Sequence, residues 1–185
     1  TDLRDISSSQ YQDLLNDPTR PLFNRAFMGL YPPASTIKPL LTIFALNNEY
    51  TNWDETIFDD GFFRFEEEER IFNAWREGGH GLTDLEKALV ESSNPFFMNL
   101  SIRYEKDLFV EFLKSSSFGS KLCEDCYPHQ FSPLIDDDWK YKNFGKELYK
   151  GDFINLGVGQ GYMLTTPLHL SPVSYTHLTL PTSSR

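Results

Sequence analysis

Three prolines confine one stretch of this chain to a narrow set of shapes: Tyr31-Pro-Pro-Ala-Ser-Thr-Ile-Lys-Pro39. Pro32 and Pro33 stiffen the approach, each ring holding φ at about −65°. Pro39 lacks a backbone donor and is tolerated in a helix only near its start. The residues around and after it, Ile37, Leu40, Leu41, Phe44, Ala45 and Leu46, have the density of a helix buried on most sides. Together these features predict a helix that begins at Ser35. Such a start places Lys38 one turn beyond Ser35, on the same face. No other serine in the chain has a lysine three residues on.

That pair carries chemistry. A serine hydroxyl is a weak nucleophile at neutral pH until a base takes its proton, and a lysine whose pKa falls on burial can be that base. The spacing therefore allows acyl transfer through a serine ester. On spacing alone, the commoner reading is that Ser35 is a mere N-cap and Lys38 a solvated lysine.

A second constrained region lies 57 positions after Ser35. Thr83 followed by Glu86 reads as a capping box. It opens a helix with Leu85, Ala88, Leu89 and Ser92 on one face, ending near Ser93. Asn94-Pro95 then restarts a helix, with Asn as N-cap and Pro at the first helical position. Phe96, Phe97, Leu100 and Tyr104 continue it. Ser92-Ser-Asn94 thus falls in a tight corner between two helices, where side chains can be aimed into a cleft.

The remaining segments are read more coarsely. Ser8 to Leu15 is a short amphipathic helix stopped by Asn16-Asp-Pro18, and Arg20 to Arg25 carries no obvious period. Residues 56–75 alternate aromatic and polar positions around Asp59-Asp-Gly61, as short strands and turns do. Glu66 to Glu69 fits a solvated strand edge or loop, and Gly78-Gly-His-Gly81 a loop. A third helix is expected from Asp107 to Ser115, with Leu108, Phe109, Phe112 and Leu113 inward. Residues 120–150 read as irregular, and Gly151 to Gly161 as a short apolar strand with a glycine-rich bend. That bend lacks the full G-x-G-x-x-G pattern, so no dinucleotide or other cofactor is expected. Thr166-Pro167 opens one more helix.

Composition narrows the function classes. A chain of 185 residues suffices for one domain or part of a larger one. Its net charge of −10 argues against nucleic acid and against anionic lipid as partners. No apolar run approaches the roughly 20 residues that span a bilayer. Thr1 is not an initiator methionine, so a missing N-terminus is expected, and a membrane anchor upstream would be invisible. Cys123-Glu-Asp-Cys126 is either a redox pair or half a zinc site, or else a loop with two thiols or a local disulfide. Its surroundings, with no second ligand pair, favour the loop. Ser171 to Arg185 contains no Asp or Glu and nine Ser, Thr or Pro residues, unlike all that precedes it. Residues 171–185 are therefore expected to be a non-native, adapter-like tail.

The order Ser-x-x-Lys, Ser-x-Asn, glycine-rich bend resembles the penicillin-recognising serine acyltransferases. Among these the chain looks most like the elongation-specific peptidoglycan transpeptidases, ahead of the septal enzymes that share the first two motifs. The resemblance rests on Leu14-Leu-Asn-Asp-Pro18, Pro21-Leu-Phe-Asn-Arg25, Gly29-Leu-Tyr-Pro-Pro33, Ser35-Thr-Ile-Lys-Pro39, Gly78-Gly-His-Gly81 and Gly157-Val-Gly-Gln-Gly-Tyr162. It implies an α/β (α+β) fold of the β-lactamase/transpeptidase type over residues 1–170. That fold is incomplete here, mainly its helical part, with the later sheet strands missing. It implies Ser35 as nucleophile, Lys38 as base, Ser92 as proton relay and Asn94 as a partner of Lys38 or of the substrate backbone. The Ser35 N–H would form half of an oxyanion hole. Implied partners are peptidoglycan stem peptides ending in D-Ala-D-Ala, β-lactams and other membrane proteins of cell-wall elongation. The implied location is the inner membrane, with the catalytic part in the periplasm.

Some relatives hold a metal near the Gly78–Gly81 loop, and Asp59 or Asp60 with His80 could be its remnant. Positions 74 and 93, where the further ligands of such a site would stand, are Ala and Ser, so a satisfied or exposed His80 and no metal are expected. The family's third motif, Lys-Thr-Gly or Lys-Ser-Gly, is absent. The 185-residue polypeptide alone is accordingly expected neither to fold stably nor to catalyse. A β-lactamase, a β-lactam sensor and a non-catalytic scaffold remain the alternatives.

Overall fold

The computed structural model describes residues 6–122 and 130–171. Cys123, Cys126 and nearly all of the serine- and threonine-rich tail lie outside them. Helix α1 (Ser8–Asn16) starts where Ser7 and Gln10 close a capping box, and no residue on it is buried. The segment without obvious period ends in a short helix, α2 (Arg25–Met28), capped by the Asn24 side chain.

The proline-bounded segment forms two consecutive elements instead of one helix. Ala34–Ile37 is a 3₁₀ turn, and α3 (Lys38–Asn47) follows with Pro39 in its first turn. The reason is local. Ala34 sits at φ +49°, and its N–H donates to Gly159 O at 2.8 Å, so the backbone enters from a left-handed bend that an α-helix cannot accept. In a 3₁₀ turn residues three apart eclipse, which still brings Ser35 and Lys38 to one side.

Two small antiparallel sheets flank the helices. β1 (Ile57–Asp59) pairs with β4 (Gly81–Thr83), and β2 (Phe62–Phe65) with β3 (Arg70–Asn73). Glu66–Glu69 turns between β2 and β3, as its charge demands. α4 (Leu85–Val90) is capped by Asp84, whose side chain accepts from Lys87 N, because Thr83 is held in β4. α5 (Asn94–Ser101) is capped by Ser93, with Pro95 in its first turn. Both caps lie one residue away from their expected positions.

α6 (Lys106–Ser115) buries Phe109 and Leu113, while Leu108 is 43% exposed and not inward. The segment expected to be irregular holds α7 (Asp137–Phe144), and the expected strand after Gly151 is a helix, α8 (Lys150–Leu156). α8 buries Phe153, Ile154 and Leu156 with little periodicity, which is why its sequence reads as a strand. Thr166 opens a last helical turn over 167–171. The core joins α3, α5, α6 and α8 through Leu41, Phe44, Phe97, Leu100, Phe109 and Ile154.

Candidate active site

Ser35 is exposed, on the 3₁₀ turn, with Lys38 beneath it at the start of α3. Lys38 is only 2% exposed. Its ammonium donates to Ser92 O at 2.9 Å, Ser92 Oγ at 3.1 Å and Asn94 Oδ1 at 2.8 Å. The Ser92 hydroxyl in turn bonds the Ser35 hydroxyl at 2.8 Å. The four predicted residues therefore form one cluster, joined across 57 positions. Lys38 meets Ser35 through Ser92 and not directly.

This arrangement has a definite acid–base logic. An ammonium has three protons and no acceptor, and here it has three acceptors. Remove one proton, and the lone pair needs a donor. Ser92 O and Asn94 Oδ1 only accept, so the Ser92 hydroxyl is the group able to supply it. A neutral Lys38 can thus draw a proton from Ser35 by way of Ser92. Burial lowers the Lys38 pKa to about 8. By that shift roughly one molecule in ten is neutral at pH 7, against roughly one in three thousand for a free lysine. The Phe97 ring lies 5.2 Å from the ammonium, a cation–π contact that favours the charged form against burial.

The corner is held in an uncommon shape. Ser92 sits at φ +56°, the left-handed region. A non-glycine residue there costs about 1–2 kcal/mol, so other contacts must fix it. Ser93 supplies them, accepting from Phe96 N as the α5 cap and donating to Asp59 Oδ2 at 2.6 Å. His80 Nδ1 bonds the same carboxylate oxygen at 2.7 Å, and Gly61 N donates to the other at 2.9 Å. Burial pushes the Asp59 pKa up, but the bonds from Ser93, His80 and Gly61 outweigh it and hold the carboxyl below its usual range. Trp75, exposed at the rim, aims its indole N–H at Ser92 O from 3.4 Å.

His80 is buried, with Nδ1 paired and Nε2 without a hydrogen-bond partner among the described residues. Among the described residues no group of three or more His, Cys, Asp or Glu is placed to hold a metal ion. Trp75 has no part in the sequence reading of the site, and Asp59 and position 93 figure there only as pieces of a vestigial metal site, not in acyl transfer. The 3₁₀ turn and bent corner that bring them together leave no periodic trace.

The glycine-rich bend closes the third side. Gly157 packs against Ser101 and Phe97 O of α5, and Gly159, at φ +67°, lies under Ala34 O. Tyr31 and Thr165 bridge with two 2.8 Å backbone bonds. The bend therefore joins the helix that carries Asn94 to the turn that carries Ser35. A concavity of about 630 Å³ is lined by Gln10, Leu14 and Leu22, none of them in this cluster.

Residues 4–174 match the family model of the penicillin binding protein transpeptidase domain. The chain belongs to the penicillin-binding protein transpeptidase family. Within it, the chain is 36% identical over 166 residues to the peptidoglycan D,D-transpeptidase MrdA of Haemophilus influenzae. That match covers 90% of this chain and 26% of the relative, so the chain spans about a quarter of the curated relatives' length. The crystal structure of Pseudomonas aeruginosa PBP2 superposes with a TM-score of 0.84 at 31% identity, covering 91% of this chain and 38% of that one. Helicobacter pylori PBP2, solved in complex with MreC, gives a TM-score of 0.79 at 30% identity, over 89% of this chain and 31% of that one. These neighbours carry the transpeptidase fold, of which this chain holds the mainly helical part.

Proposed function

We propose that this chain is the nucleophile-bearing part of a serine D,D-transpeptidase that cross-links peptidoglycan stem peptides during cell-wall elongation. The observation that carries the reading is the buried Lys38, joined through Ser92 to an exposed Ser35. In this reading Ser35 Oγ attacks the carbonyl of the penultimate D-alanine of a donor stem peptide, and its proton passes through Ser92 to neutral Lys38. The peptide C–N bond then breaks, and the terminal D-alanine leaves with a proton returned by way of Ser92. An amine from a neighbouring stem peptide attacks the ester carbonyl, forms the cross-link and frees Ser35. Asn94 holds Lys38 in place. The Ser35 N–H, at the exposed turn, is one donor to the oxyanion, and losing such a donor costs roughly 100- to 1,000-fold.

β-Lactams are substrates of the first half only. Ser35 Oγ bonds to the lactam carbonyl, the ring C–N bond opens, and the nitrogen takes the proton. The similarity to MrdA and PBP2 favours the elongation role over the septal one. It also favours an inner-membrane protein with its catalytic part in the periplasm, although no helix among the described residues is long and apolar enough to cross a membrane. Because H. pylori PBP2 is solved in complex with MreC, other membrane elongation proteins are the proposed partners. We further propose that the native transpeptidase segment ends near Leu170, residues 171–185 being foreign sequence.

The test uses the full-length gene product. A fluorescent penicillin should label it once, at Ser35, and Ser35→Ala should abolish both labelling and cross-linking. Rapid release of the label marks a β-lactamase. Cell-wall synthesis unaffected by Ser35→Ala marks a scaffold.

A further inference from the structure

The Ser92–Asn94 corner presents two side chains and one carbonyl to Lys38, and all three depend on one left-handed backbone step at Ser92. The corner's middle residue, Ser93, points the other way, is fully buried and is bonded to a carboxylate in β1. Nothing in acyl transfer requires that bond. A buried carboxylate is costly, however, unless its oxygens are all engaged. Asp59 meets that condition with donors from three separate places: Ser93 at the corner, His80 before β4, and Gly61 in the turn after β1. His80 is itself anchored, because its N–H donates to Asp59 O and its carbonyl accepts from Lys87 Nζ of α4. The β1–β4 sheet, α4 and α5 therefore converge on a single carboxylate behind Ser92.

We propose that Asp59, braced by His80, is a positioning residue for acyl transfer. Through Ser93 it fixes the Ser92 hydroxyl, the Ser92 carbonyl and the Asn94 amide at their distances from Lys38. The inference rests on the acyl-transfer reading of Ser35 and Lys38. Neither Asp59 nor His80 touches Ser35 or Lys38; they act through the corner's backbone. Trp75 braces the same carbonyl from the rim, its ring packed against His80 at 5.6 Å between centroids. Asp59 and His80 lie behind the corner, and burial lowers the Lys38 pKa.

Ser93→Ala, Asp59→Asn and the double variant of the full-length gene product separate positioning from mere stability. Saturation kinetics of acylation by a fluorescent penicillin give the half-saturation concentration and the limiting rate. Each single variant should lower the limiting rate about 10- to 100-fold, the size expected for sub-ångström to ångström misplacement. The half-saturation concentration should hold, and the double variant should lose little more than either single, since both break one link. Asp59→Asn is isosteric and guards against a Ser93→Ala protein that fails to fold. A second readout does not need a reactive serine: the carbon-13 shift of Lys38 Cε against pH. Its midpoint should move in both variants. Folded variants with an unchanged rate and an unmoved Lys38 midpoint would overturn the proposal, as would losses that simply add. If the parent protein does not acylate at Ser35 but the Lys38 midpoint still moves, the acyl-transfer reading fails and the positioning role stands.

Discussion

Lys38 and Asn94, 56 positions apart, meet at 2.8 Å with the ammonium donating to the amide oxygen. This bond favours the charged lysine, while burial favours the neutral one. Asn94→Ala removes one of three acceptors from a buried ammonium, so the Lys38 pKa should fall below about 8. A hydrogen bond to a charged group contributes about 1.5–3 kcal/mol, and the folded state should lose a comparable amount. The pH–rate profile of penicillin acylation and a denaturant melt of the variant check the two effects separately.

The lowered Lys38 pKa has consequences for rate and for stability that share a sign. The rate of acylation should rise with pH and level off above about 8, as the neutral base fills. Stability follows from linkage. Between about 8 and the ordinary 10.5 the unfolded chain binds a proton at this lysine that the folded chain does not. Stability therefore rises with pH across that window. Lys38→Met, which has no proton to bind, should flatten this part of the stability curve and abolish acylation.

The sequence made the members of the cluster legible because proline and cap signals locate chain reversals. Pro32, Pro33 and Pro39 place Ser35 and Lys38 at a helix entry, and Pro95 places Asn94 at another. It misplaced the caps by one residue because Thr83 and Asp84, like Ser93 and Asn94, are both good caps, and pairing in β4 and the bond to Asp59 decide between them. The sequence of α8 reads as a strand because a helix buried on nearly every side has no polar face to set its period. Asp59, His80 and position 93 enter the sequence reading only as a vestigial metal site, because the bond that ties Asp59 to the acyl-transfer corner depends on a three-dimensional meeting of the β1–β4 sheet and that corner.

Gly159 is a spacer with no tolerance for a side chain. A Cβ there would lie 2.3 Å from Ala34 O, and φ is +67°. Gly159→Ala must displace Ala34, and with it the turn that carries Ser35. A strained left-handed alanine alone costs on the order of 1 kcal/mol, before the clash is counted. Acylation should fall at least tenfold while the Lys38 midpoint stays near its parent value, because a side chain at Gly159 meets Ala34 and Ile37 first and not Ser92 or Asn94.

Lys140 and Asp152 offer the opposite titration. Lys140 is 1% exposed and donates to both Asp152 oxygens at 2.7 Å and to Tyr162 Oη at 3.0 Å. Burial lowers its pKa, but the bonds to Asp152 and Tyr162 outweigh burial and raise it. The stability it contributes is therefore complete below the ordinary lysine pKa and lost as pH climbs through the raised one, the reverse of Lys38. Lys140→Met leaves Asp152 buried and unpaired, and breaking a buried pair this way costs about 3–5 kcal/mol. Lys140→Met with Asp152→Leu removes both charges, and replacing a buried pair by apolar groups is often neutral. Calorimetry should show a large drop in melting temperature for the single variant and substantial recovery in the double. A double variant no more stable than the single would mean that α7, α8 and Tyr162 depend on the pair itself and not merely on the neutralisation of Asp152.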